Sequence, residues 1–323
     1  MPIINPKLYK PSWWVKNGHI NTIAPYVLRK NTGFPFQRNR LTTFDGDFID
    51  VDTQFRRKEK LAILCHGLEG SSSSQYIIHS AQLLAAHGWD IAAMNYRACS
   101  GEINLKPVMY HSGFTDDLHA VVMKYQSIYN HISLIGFSLG GNLVLKYAGD
   151  GIFTLPEPIQ SIVAISVPCD LASSARKIAR WYNYLYEKRF LNSLLSKAIL
   201  KHRQYPDIYL SPSSVKIDGL YAFDNLYTAP VHGFENADDY YNKCSSRQFI
   251  QNISIPTLII NAKDDPFLAY ECFPYAECDT NEQVHFLDPP FGGHVGFFQH
   301  SNSPCWNEEL LLHFIQVNGN IQD

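Results

Sequence analysis

Apolar positions fall into short β-type runs separated by stretches of helical spacing. Residues 38–44 and 47–54 flank Asp45-Gly46, a hairpin signal, and Asp47-Phe48-Ile49-Asp50-Val51 alternates as a half-buried strand should. Leu61 to Cys65 reads as a short buried strand, followed by helical spacing over 75–87. Ile91 to Met94 is the next strand, with a helix predicted over 115–128. Ile132 to Ile135 runs into Gly136, and a helical pattern opens at Leu139. Ile162 to Val167 is a strand stopped by Pro168; Thr257 to Ile260 and Val284 to Leu287 are two more, before a helix over 304–316. This rhythm predicts an α/β fold: a mostly parallel central sheet with helices on both faces.

The rhythm breaks over 170–250. Ile178, Trp181, Tyr182 and Leu185, then Leu191, Leu194, Leu195 and Ile199, lie at helical spacing, and an irregular stretch rich in aromatics follows. An inserted helical lid over 170–250, with the core formed by 1–169 and 251–323, is the expected organisation. Ordinary core-packing helices are the plainer alternative.

Composition narrows the chemistry. The chain has 323 residues, 46% hydrophobic and 18% charged, as in a globular protein large enough for a self-sufficient core. Lys plus Arg total 27 against 30 Asp plus Glu, a net charge of −3 that supplies no field for nucleic acid or an anionic membrane. No apolar run approaches the roughly 18 residues of a membrane span. Seven cysteines without a CxxC pair, and a start lacking a basic stretch before an apolar one, predict reduced thiols and a cytoplasmic protein. Zinc-ligand spacing, GxGxxG and the P-loop pattern are missing from the sequence, so no metal and no cofactor are expected.

The sharpest motif is Gly136-Phe137-Ser138-Leu139-Gly140-Gly141, a GxSxG between a β run and a helical pattern. A sharp strand-to-helix turn would expose the Ser138 hydroxyl, and the small residues two before and two after let the chain pass. A hydroxyl needs a base and an orienting carboxylate, which in this arrangement follow in the order Asp or Glu, then His. Of thirteen histidines, His294 is the expected base, because it sits in Pro289-Pro290-Phe291-Gly292-Gly293-His294 just after the last strand; His300 is a weaker second. The carboxylate belongs on the turn after Ile260, where Asp264 and Asp265 compete. Asp265 is favoured, since the residue before a proline is held extended, and Asp264 then becomes a hydrogen-bonding turn residue. The oxyanion hole needs two backbone N–H groups, supplied by Leu139 and by Leu68 in the loop His66-Gly67-Leu68-Glu69-Gly70.

These stretches, together with Trp14-Val15-Lys16-Asn17-Gly18-His19, Asn95-Tyr96-Arg97, Cys99-Ser100-Gly101, Tyr110-His111-Ser112-Gly113 and Ser166-Val167-Pro168-Cys169-Asp170-Leu171, make the chain resemble the YheT-like branch of the α/β-hydrolases over almost its whole length. The resemblance implies the same triad, Ser138, Asp265 and His294. One departure is Ala98, where the pattern implies glycine; an ordinary backbone conformation is expected there, with a slightly shifted turn. His111 and Asp116 spell HxxxxD, which accompanies acyl transfer in some relatives. Capping of the helix near Thr115 is the favoured role for this pair. Arg97 is expected to anchor loops by ion pairing.

The resulting expectation is a serine hydrolase of small carboxylic esters with a short- to medium-chain apolar acyl group. Acyl transfer to an alcohol or thioester hydrolysis on the same triad, and a noncatalytic binder on the same scaffold, are the alternatives. A pure binder would not need to keep the whole triad.

Overall fold

The computed structural model describes residues 9–30, 32–56 and 59–318. Among the described residues, eight strands form one sheet in the order β1-β2-β4-β3-β5-β6-β7-β8. β1 (Gln37–Thr42) and β2 (Phe48–Gln54) are the antiparallel hairpin, turned at Asp45-Gly46 with Gly46 at φ 78°. β2 also runs antiparallel to β4 (Asp90–Asn95). β3 (Lys60–Cys65), β5 (His131–Phe137), β6 (Ile159–Ile165), β7 (Thr257–Ile260) and β8 (Val284–Leu287) continue the sheet in parallel.

A parallel strand covered on both faces reads as a continuous apolar run, and the period of two then sends its residues to opposite layers. Ile63, Leu134 and Ile162 join one core with Leu118, Val121, Leu143 and Val144 of helices α3 (Thr115–Tyr125) and α4 (Leu139–Gly149). Leu64, Ile135 and Val163 join the other with Leu84 of α2 (Gln75–Ala86) and Leu311 and Phe314 of the C-terminal helix Trp306–Val317. No helix among the described residues is long and apolar enough to cross a membrane.

The apolar pattern does not reveal helix α1 (Gly18–Leu28). Asn17 caps it by accepting the N–H groups of His19 (3.0 Å) and Ile20 (3.2 Å). Its buried positions are Gly18, Asn21 and Ala24, whereas Ile20, Ile23 and Val27 are exposed. Periodicity fails here because small and polar residues, rather than large apolar ones, make the packed face.

Between β6 and β7 come α5 (Leu171–Ile178), α6 (Tyr184–Gln204), helical turns over 220–231, the helix Ala237–Cys244 and a 3₁₀ helix Ser246–Asn252. The expected continuous spacing through Ile178 and Leu185 is broken, because α5 ends at Ile178 and Trp181–Asn183 is a separate 3₁₀ turn that leaves Trp181 exposed. Leu194, Leu220, Phe223 and Tyr227 form a core of their own with Ala98 and Met109. Asn142 of α4 ties down the far end, accepting from Ser246 N–H (2.8 Å) and donating to the Cys244 carbonyl (2.9 Å).

Candidate active site

Ser138 stands between β5 and α4 with φ 54° and ψ −119°, a conformation costly for any residue with a Cβ. A Cβ on Gly136 would overlap the Gly140 carbonyl, and one on Gly140 would overlap the Cys65 carbonyl, so the turn forms only with both glycines. β6 shows a matching departure. The strand ends at Ile165 rather than Val167, because Ser166 has φ 54° and turns the chain out of the sheet.

His294 Nδ1 and Asp265 Oδ2 are 2.8 Å apart, and Asp265 Oδ1 accepts the Phe267 N–H at 2.8 Å. Asp265 is buried beside Phe267, whose ring centroid lies 4.4 Å from that of His294. Asp264 instead accepts the Gly293 N–H (2.9 Å), and burial raises the pKa of its carboxyl. The structure therefore brings His294 to Asp265, while His300 is exposed and outside the cavity. Ser138 and His294 line the same cavity without a direct hydrogen bond; such contacts are often long before substrate binds.

The His294 loop is held by groups to which the sequence motifs assign no role. Thr22 Oγ1 accepts the His294 N–H (2.8 Å), Ser166 Oγ that of Val295 (2.9 Å), and Asn21 Oδ1 that of Phe298 (2.9 Å). Val295 (φ 58°) and Phe297 (φ 46°) need this support, since side chains disfavour the left-handed region. The motif Asn17-Gly18-His19 is the available signal for α1, because Asn before Gly opens a helix by capping it.

Against Ser138, the loop after β3 has its N–H groups tied off one by one. Tyr76 Oη accepts from Gly67 (2.9 Å), Tyr110 Oη from Glu69 (3.0 Å) and the Gly67 carbonyl from Gly70 (3.0 Å). The Leu68 N–H between them has no acceptor among the described residues, and neither has the Leu139 N–H at the first turn of α4. A Cβ on Gly67 would lie 3.1 Å from Ser138 Cβ, so this loop passes directly against the serine. Glu69 receives Tyr110 Oη (2.6 Å), Lys197 Nζ (2.7 Å) and Ser193 Oγ, joining the loop to α6. His66 is fully buried, and desolvation pushes its pKa down to about 3.

The cavity has two arms meeting at Leu68, Ser138, Phe190, Phe267 and His294. One, about 100 Å³, is lined by Pro168, Leu171, Ala175, Ile178, Leu194 and Leu220. The other, about 410 Å³, runs past α1 and is more polar, with Gln75, His79, Arg189, Ser193 and Glu308 in its wall.

Two expectations are corrected. Ala98 does not take an ordinary conformation: its φ is 62°, so alanine occupies a glycine-type position. Nor do His111 and Asp116 cap α3, whose N-cap Phe114 has no side-chain cap bond. His111 Nδ1 is buried and accepts the Gly113 N–H (3.1 Å), whereas Asp116 faces solvent. The pair fails because the next residue, Asp117, is the one turned inward, to Arg97 at 2.7 and 2.8 Å. Arg97 also binds Asp45 at 2.7 Å, the loop anchor expected of it.

A GxSxG turn at the end of a central parallel strand, a histidine loop after the last strand and an acid after the strand before it define an α/β-hydrolase. The model for the alpha/beta hydrolase fold matches residues 61–301, and the chain belongs to that family as an α/β-hydrolase enzyme. Within it the chain is YheT-like: it is 33% identical to YheT of Escherichia coli (strain K12) over 293 residues, 87% of this chain and 84% of that one. It is 27% identical to phospholipase ABHD3 of Mus musculus over 311 residues, covering 92% of this chain and 75% of the relative. Monoacylglycerol lipase ABHD2 of Homo sapiens is 28% identical over 353 residues, covering 97% and 80%. Among solved structures, the Pyrococcus furiosus esterase Pf2001 shares the fold with a TM-score of 0.58 at 15% identity, over 97% of this chain and 99% of that one. No group of three or more His, Cys, Asp or Glu among the described residues could hold a metal ion.

Proposed function

We propose that the protein hydrolyses carboxylic esters with a short, largely apolar acyl group through an acyl-Ser138 intermediate. The observation that carries this reading is the pair of unengaged N–H groups, Leu68 and Leu139, beside Ser138 and the Asp265-held His294. With Nδ1–H donated to Asp265, the Nε2 lone pair of His294 is free to take the Ser138 proton as Oγ attacks the acyl carbon. The oxyanion accepts from Leu68 and Leu139, each donor contributing about 3 kcal/mol to the barrier reduction. His294 then protonates the leaving alcohol, and water, deprotonated by the same histidine, releases the acid.

The apolar arm suits the acyl group and the larger polar arm the alcohol. A cavity of about 150 Å³ takes a benzene ring, so the apolar arm of about 100 Å³ has room for about four heavy atoms. We read residues 170–250 as a lid, because the apolar arm draws much of its wall from them. Seven free cysteines support a reducing, cytoplasmic setting.

The test is hydrolysis of p-nitrophenyl esters from C2 to C12 by the native protein and Ser138→Ala, with organophosphonate labelling alongside. An optimum near C4, lost with the label in Ser138→Ala, supports the proposal. Equal rates in both proteins remove Ser138 as nucleophile, and an unlabelled, inert native protein favours a binder.

A further inference from the structure

The apolar arm also contains a carboxylate that the hydrolytic mechanism does not use. Asp224 lines this arm from a π-helical turn, Asp224–Thr228, in the segment between β6 and β7. Single π-helical turns inside helices interrupt the regular backbone and recur at functional sites. Thr228 Oγ1 donates to Asp224 Oδ1 (2.6 Å) and Tyr241 Oη to Oδ2 (2.7 Å). An ionised carboxylate has about four acceptor positions, so about two remain free. No lysine, arginine or histidine of the described residues forms an ion pair with it. Asp224 is partly exposed and lines the cavity, and burial pushes its pKa up to about 6. A buried carboxylate is costly unless donors satisfy it.

We propose that Asp224 is a specificity residue that accepts a hydrogen bond from a hydroxyl on the acyl chain, so that hydroxyacyl esters are the preferred substrates. This rests on the esterase reading and on the acyl group entering the apolar arm. Thr228 and Tyr241 are positioning residues: each hydroxyl occupies one lone pair of a different carboxylate oxygen and fixes the orientation of the group. A methyl group in place of the substrate hydroxyl would leave the remaining lone pairs unpaired, and sites built to bind a hydroxyl reject analogues lacking it far more strongly than apolar pockets reject an extra one.

The experiment compares methyl esters of four-carbon acyl chains carrying a hydroxyl at carbon 3 or 4, the lengths that fit the apolar arm, with analogues bearing methyl in place of that hydroxyl. In the native protein, one hydroxyl position is expected to exceed its methyl analogue in kcat/KM by about tenfold or more. Asp224→Asn, which keeps an acceptor oxygen and the side-chain shape, is expected to reduce that ratio, and Asp224→Leu to reverse it. Thermal melting of both variants, with phosphonate labelling of Ser138, establishes that fold and nucleophile persist. A native protein that hydrolyses the methyl analogues but prefers no hydroxy ester overturns the Asp224 proposal and leaves the esterase reading standing. So does a preference that survives unchanged in folded Asp224→Leu. A protein that neither cleaves any ester nor takes the label fails at the esterase reading instead.

Discussion

Gly18 and Asp264 meet backbone to backbone: a Cβ on Gly18 would overlap the Asp264 carbonyl oxygen. The first turn of α1 is thereby pressed against the turn that carries Asp265. Thr22, one turn further along, bonds both the Gly18 carbonyl and the His294 N–H, so α1 touches the Asp264-Asp265 turn and the His294 loop together.

Gly18→Ala is accordingly expected to displace that turn. Forcing a methyl into packed backbone costs about 1–3 kcal/mol. Misplacing catalytic groups by about 1 Å can lower the rate about 100-fold. Thermal melting and ester hydrolysis should both register the change, and a fully active, equally stable variant would show that α1 does not set the site.

Asp264 and Asp265 are separable by amide substitution. Asp265→Asn removes the charge facing His294 and disfavours the required tautomer, with an expected loss of about 10⁴ in kcat. Asp264→Asn can still accept the Gly293 N–H through its amide oxygen, and a loss below about tenfold is expected. Steady-state kinetics of the two variants decide the assignment, and the opposite ranking would reverse it.

Ser138→Gly should abolish turnover and yet stabilise the protein. Glycine reaches φ 54° and ψ −119° without the cost of about 1–3 kcal/mol borne by a residue with a Cβ. Urea denaturation of the two proteins measures the difference; a less stable glycine variant would mean the turn is not strained.

Ala98→Gly tests the same physics away from Ser138. Relieving an alanine at φ 62° is expected to stabilise the fold by about 1 kcal/mol, less whatever the methyl contributes against Met109 and Leu220. The denaturation midpoint should rise with activity retained.

Acid should destabilise the fold through His66. Its pKa falls from 6.5 unfolded to about 3 folded, so the unfolded chain binds the extra proton. The stability is present above pH 6.5 and lost as pH falls toward 3. At pH 5 the loss is about 2 kcal/mol from this residue. Buried His111 shifts in the same direction through desolvation. Melting temperatures between pH 7.5 and 5 follow the trend, and a His66 variant that still folds should show a shallower slope.

Local chemistry makes the sheet legible in the amino-acid sequence and singles out Ser138, Asp265 and His294 as candidates. Leu61 to Cys65 and Ile132 to Ile135 are apolar throughout because both faces of a parallel strand are covered. GxSxG announces itself because a strand-to-helix turn tolerates only small residues on either side of Ser138. Asp265 and His294 are reachable because each follows a late strand. Helix α1 is not, since it buries Gly18, Asn21 and Ala24 and shows solvent its isoleucines. Which N–H groups stay unengaged is also decided in three dimensions. Tyr76 and Tyr110 satisfy the neighbours of Leu68 from 9 and 41 residues away. The carboxylate of Asp224 likewise becomes part of the cavity only when the segment between β6 and β7 folds back over Ser138. Sequence by itself determined the order of strands, helices and chemical motifs along the chain, because backbone sterics and side-chain period act locally. The tertiary structure alone decided which polar groups are paired and which are left for a substrate, because that depends on contacts between residues far apart in the chain.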